Sequence, residues 1–174
     1  MRLVRLILVT ILILFITAAC SNKDSAVYKY PEDTVKESLL KTSHQDEFRF
    51  IDSGNHNDKF IVYYILGDKH YFQWVKWVGK GFKVEGSPIV PEIMENDKIV
   101  TLRALTTKGG RDLSIIGLYV KAAEISYAQI NLSNRDEMDP WLSEGRGLVE
   151  VFDGNVSIVK GKFFDKKDRI VIEI

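Results

Sequence analysis

FIVYYILGDKHYFQWVKWV, residues 60–78, is the stretch whose reading decides the fold. Two runs rich in aromatic and β-branched residues flank Gly67-Asp68, a two-residue loop of the kind that closes a β-hairpin. Side chains alternate across a strand, so Phe72 and Trp74 share one face while Tyr71 and Trp77 share the other. One of those faces has to pack against the rest of the domain. If the other is open, Tyr71 and Trp77 form a flat amphipathic platform for sugars, peptides or partner proteins. If both are covered, all four residues are core.

Working outward from this hairpin, residues 48–52 (FRFID) begin a strand and residues 53–58 (SGNHND) read as a turn cluster. Further upstream, Tyr30-Pro31-Glu32-Asp33-Thr34 has the marks of a helix entry. Proline suits the first turn, where its missing N–H has no partner to lose, and two acids complement the helix dipole. Val35, Leu39 and Leu40 then recur on one helical face, with the end expected near Thr42 and a polar exit at 44–47 that includes His44. Downstream, Gly79-Lys80-Gly81 turns the chain into residues 82–84, and Gly86-Ser87-Pro88 and Pro91 are expected to break the meander.

The second half alternates less clearly. Residues 97–105 read as a half-buried strand, and residues 113–120 and 124–132 as a strand pair. Residues 133–147 form a polar loop that carries Trp141, a second candidate contact residue. Residues 148–152, 156–164 and 169–174 are expected to form a three-stranded meander. The fold class is therefore α+β: one N-terminal helix plus a mostly antiparallel sheet system, with a β-sandwich-like C-terminal half.

The N-terminus carries a different signal. Arg2 and Arg5 precede a run from Leu6 to Ala19 with no charged residue, too short for a permanent span and suited to a signal-peptide core. Ile16-Thr17-Ala18-Ala19-Cys20 resembles the lipobox of bacterial lipoproteins, whose usual form is Leu, a small residue, Gly or Ala, then Cys. Thr17 stands where that family carries Leu, Val or Ile, so ordinary signal-peptidase cleavage after Ala19 remains the alternative. The resemblance implies cleavage between Ala19 and Cys20, lipid on the Cys20 thiol, and attachment to the extracytoplasmic side of a bacterial membrane. Two acyl chains on one residue suffice for stable anchoring. Residues 1–19 are then leader, 20–29 lipidated cysteine and polar tether, and 30–174 a single extracytoplasmic domain with a subdivision near 88–96.

Charge and motif content narrow the function. Lys plus Arg and Asp plus Glu both total 24, and removing the leader leaves a net charge of −2. A nucleic-acid binder needs a basic stripe that this balance does not supply. His44, His56 and His70 lack metal-ligand spacing, and Cys20 is the only thiol. No nucleophile elbow is present, and Gly109-Gly110-Arg111 lacks the Lys-Ser/Thr ending of a phosphate-binding loop. Asp136, Glu137 and Asp139 are the densest acidic group, without calcium-loop spacing. No catalytic residue, cofactor or metal is expected. The expected function is a membrane-anchored, non-catalytic binding domain with an envelope protein or glycan as partner. The alternatives are an envelope hydrolase using dispersed carboxylates, or an inhibitory or structural partner of another exported protein.

Overall fold

The computed structural model describes residues 30–40 and 47–174; Ala19, Cys20, the tether and His44 lie outside the described residues. The chain runs through α1 (Pro31–Leu40), β1 (Phe48–His56), β2 (Lys59–Leu66), β3 (Lys69–Trp77) and β4 (Phe82–Ile89). It continues through β5 (Glu92–Glu95), β6 (Ile99–Lys108), β7 (Arg111–Val120) and β8 (Tyr127–Leu132). It finishes with β9 (Glu137–Met138), β10 (Gly147–Asp153), β11 (Ile158–Phe164) and β12 (Ile170–Glu173). Three four-stranded antiparallel sheets result: A in the order β1-β2-β3-β4, B in the order β10-β7-β6-β5, and C in the order β12-β11-β8-β9. The described residues form mostly antiparallel sheet with one short helix.

The alternation of each strand decides which layers meet. Ile61, Tyr63, Phe72 and Trp74 of sheet A pack on Val100, Leu102, Ile115 and Val149 of sheet B. The opposite face of sheet B puts Ile99, Ile116, Leu118 and Val120 against Ala128, Ile130 and Phe163 of sheet C. Helix α1 covers the outer face of sheet A, where Val35 meets Val62, Tyr64, Val75 and Phe82. The layer order is therefore α1, A, B, C. Each fully buried large apolar side chain contributes roughly 1.5–3 kcal/mol relative to exposure, so the doubly covered sheet B is the energetic centre.

Four expectations change. Strand β6 is buried on both faces from Ile99 to Leu102, not half-buried, because sheet B lies between two other sheets. Residues 53–56 continue β1 instead of turning: Gly54 lets β10 approach, with the carbonyl oxygen of Val149 2.6 Å from where a Cβ would stand. Gly86-Ser87-Pro88 does not end β4. The register slips between Trp74↔Glu85 and Phe72↔Ile89, a bulge that an edge strand tolerates. Gln73 holds it, its buried amide donating to the carbonyls of Glu85 at 3.1 Å and Gly86 at 3.3 Å.

The fourth change concerns pairing. Strand β7 pairs with β6 and β10, not with β8, and β10 belongs to sheet B while β11 and β12 belong to sheet C. Asp153-Gly154 is thus a crossing between sheets and not a hairpin. Ser114 fixes it: its buried hydroxyl donates to the carbonyl of Gly154 at 2.8 Å and accepts the Val156 N–H at 2.7 Å. On β10, the Val149 N–H donates to Asp52 of β1 at 2.9 Å and ties sheet A to sheet B. Sheet A ends at Ile89 and sheet B begins at Glu92, with Val90-Pro91 between them and one core shared by both.

Candidate binding face

Among the described residues, sheet C is covered on one side only. Along β8, Ala128, Ile130 and Leu132 turn inward to the core, so Tyr127, Gln129 and Asn131 turn outward. Their cross-strand neighbours on β11 are Phe164, Lys162 and Lys160. On the other flank Trp141 bridges to Tyr127, and Glu137 lies opposite Asn131, which places Asp139 beside Gln129. The outer surface is therefore built in rungs. The first is aromatic (Trp141, Tyr127, Phe164), and the next two each join a carboxylate, an amide and a lysine.

The rings of the aromatic rung are in mutual contact. Tyr127 and Phe164 stack with centroids 4.7 Å apart and planes 7° apart, and Trp141 leans on Tyr127 at 5.7 Å. The Tyr127 hydroxyl donates to Asp168 at 3.0 Å; burial and the Asp168 carboxylate together raise the phenol's pKa. Asp168 sits in the β11–β12 turn, which Asp165 organises by accepting the N–H groups of Lys167 and Arg169 and the Arg169 guanidinium at 2.7 Å. Trp141 keeps 85% of its surface exposed.

The polar rungs line a cleft of about 340 Å³ bounded by Gln129, Asn131, Glu137, Asp139, Lys160 and Lys162. Lys160 donates to Glu173 of β12 at 2.6 Å and holds that carboxyl below its ordinary pKa. Amides supply donor and acceptor together, carboxylates accept, and ammonium groups donate, so the cleft offers every role a polyhydroxylated ligand needs. An exposed aromatic rung beside it offers a flat surface for the apolar face of a sugar ring.

Of the aromatic contact residues expected from sequence, Trp141 belongs to this face and Tyr71 and Trp77 do not. Tyr71 is half-buried beneath α1, stacked on Tyr64 with centroids 5.5 Å apart. Trp77, on the same face of β3, is 47% exposed and meets Phe82 edge-on at 5.0 Å. His56 lies 3.7 Å from Asp153, and His70 Nδ1 is hydrogen-bonded to the Tyr63 hydroxyl at 2.7 Å. Among the described residues, His, Cys, Asp and Glu form no group of three or more able to hold a metal ion, and no helix is long and apolar enough to cross a membrane.

Tyr127, Gln129, Asn131, Lys160, Lys162 and Phe164 were not singled out by sequence. The available signal was the alternation Y-A-Q-I-N-L at 127–132, which sets aromatic and amide side chains on one side of the strand. No protein-family model, curated protein or solved structure matches the chain.

Proposed function

We propose that the chain is a lipid-anchored protein of a bacterial envelope that presents a non-catalytic, glycan-binding domain on the extracytoplasmic side. The observation that carries the reading is the aromatic rung Trp141-Tyr127-Phe164 laid beside two rungs of carboxylate, amide and lysine. Such a surface pairs a ring-stacking platform with convergent polar groups that fix orientation. The sheets B and C are read as a β-sandwich whose open outer surface is the binding face. Anchoring rests on Ile16-Thr17-Ala18-Ala19-Cys20 alone.

Titration with oligomers of N-acetylated amino sugars, followed by tryptophan fluorescence, tests the binding half. Trp141→Ala is expected to weaken binding at least tenfold, as loss of an exposed aromatic anchor does. Equal binding by wild type and Trp141→Ala, or none by either, rules the glycan reading out. Release of new reducing ends that disappears in Glu137→Gln would favour the envelope-hydrolase alternative instead. The anchoring half is tested by growing cells with a clickable fatty acid: label retained by Cys20→Ala would show that Cys20 does not carry the lipid.

A further inference from the structure

A second site lies at one end of the interface between sheets A and B, away from the face on sheet C. Trp74 and Leu113 face the core between the two sheets, and beyond them opens a cleft of about 310 Å³ lined also by His56, Lys59, Lys108 and Arg111. Two hairpins bring the cations there. On sheet B, Gly109-Gly110 closes β6 and β7 with positive φ at both residues, 61° and 76°, and so sets Lys108 directly opposite Arg111. On sheet A, Lys59 lies directly opposite Lys76. Like charges facing each other across a ladder are destabilising, and this end of the interface holds two such pairs.

The protein's own anions answer these charges only in part. Glu85 is shared by two lysines: its Oε2 lies 2.6 Å from Lys108 Nζ and 3.3 Å from Lys59 Nζ, and its Oε1 accepts from Lys59 at 3.4 Å. Asp58 lies 3.5 Å from Lys76, and Asp153 faces His56 at 3.7 Å. Asp112 alternates to the opposite side of β7, where it accepts from Thr107 at 2.8 Å. Arg111 has no ion pair or hydrogen bond from another described side chain. The Trp74 indole N–H is buried, with Trp74 only 4% exposed, and has no hydrogen-bond partner among the described residues. Lys108 Nζ stands 4.6 Å from the centre of the same ring.

We infer that this cleft is an anion site that takes a phosphate group, held by Arg111, Lys108 and Lys59 over the Trp74 ring. Lysines act on phosphate as point charges and arginine as a planar fork, and a tetrahedral oxyanion can accept from cations arriving out of one plane. Such a group relieves both like-charged pairs and gives Arg111 the partner it lacks. The phosphate can belong to a free phosphate monoester or to the phosphodiester of a lipid headgroup or envelope polymer. The site is independent of the glycan face, since it uses no residue of sheet C.

The experiment follows the indole N–H resonance of Trp74, assigned by its loss in Trp74→Phe, in the full chain. Inorganic phosphate and the soluble diester glycerophosphoglycerol are titrated separately, each against sodium chloride at matched ionic strength. A saturable shift with phosphate alone assigns the site to monoesters, and one with both ligands assigns it to diesters as well. Arg111→Gln, at an exposed hairpin position, should leave the spectrum folded and weaken binding about tenfold, as loss of a charge-assisted contact does. Lys59→Gln should weaken it similarly, and Trp141→Ala should leave it unchanged. A shift that chloride reproduces, no saturable shift with either ligand, or undiminished affinity in Arg111→Gln and Lys59→Gln would overturn the assignment.

Discussion

Sheets A and C are the two outer sheets, and each turns a row of aromatic side chains away from sheet B. On sheet A the row is Phe60, Tyr64, Tyr71 and Phe82, with α1 laid over it through Val35 and Leu39. On sheet C the row is Phe164, Tyr127 and Trp141, and no described element covers it. The strand pattern that produces the two rows is the same. Their fates differ because a ten-residue helix with two apolar anchors is available to one sheet and not to the other. An aromatic face is therefore core or open surface according to what lies above it, a property the strand itself does not encode.

The largest test of this contrast compares the covered layers with the open one. Phe72→Ala removes a fully buried ring between sheets A and B and should cost about 3–5 kcal/mol, read as a lower urea midpoint with an unchanged slope. Phe164→Ala on the half-buried outer row should cost clearly less; equal losses would break the contrast. Next in size is Val35→Ala. Val35 is 1% exposed, and deleting its two methyl groups should cost about 2 kcal/mol while leaving glycan affinity at sheet C unchanged. A loss of affinity would mean that the two outer layers are coupled.

Acidification sharpens the contrast further. Burial lowers the pKa of His70 below its ordinary 6.5, Glu95 opposes the shift, and Arg49 and Lys121 reinforce it. Between the lowered folded value and 6.5, the folded state thus keeps His70 neutral and hydrogen-bonded to the Tyr63 hydroxyl, while the unfolded chain protonates it. Unfolded molecules then bind the additional proton, so stability is complete above pH 6.5 and falls from there as pH drops toward the lowered folded value. Urea midpoints measured through that window should slope in wild type and flatten in His70→Phe; parallel slopes would dismiss the mechanism. The smallest effect belongs to Trp141→Ala, which should change stability by less than about 0.5 kcal/mol because the ring is 85% exposed. A larger loss would show the open row to be structural.

Local signals were legible from sequence and layer assignments were not. The hairpin around Gly67-Asp68 forms as read: β2 and β3 pair Leu66 with Lys69, and Gly67 has a φ of 63°. The helix begins at Pro31, with Glu32 and Asp33 in its first turn. Residues 113–120 form a strand, but which strands flank it depends on contacts such as Val149 on Asp52 and Val156 on Ser114, 97 and 42 residues apart. Alternation identifies two faces of β7 and stays silent on their covers, because an apolar residue reads alike whether Phe72 or Ile130 lies over it. The same silence made Tyr71 and Trp77 resemble a platform and hid Tyr127 within a strand assigned to another sheet.

The order of layers also sets a direction. The helix that opens the described chain lies outside sheet A, and the rung of Trp141 lies outside sheet C, so the two occupy opposite poles. At about 10 Å per sheet spacing, sheet C stands roughly 20 Å beyond sheet A. If the chain is held at its N-terminus as proposed, the domain would serve as a pedestal, with packing at the pole of α1 and the proposed recognition face at the pole of sheet C. Lengthening the tether would extend its range without altering what it meets first.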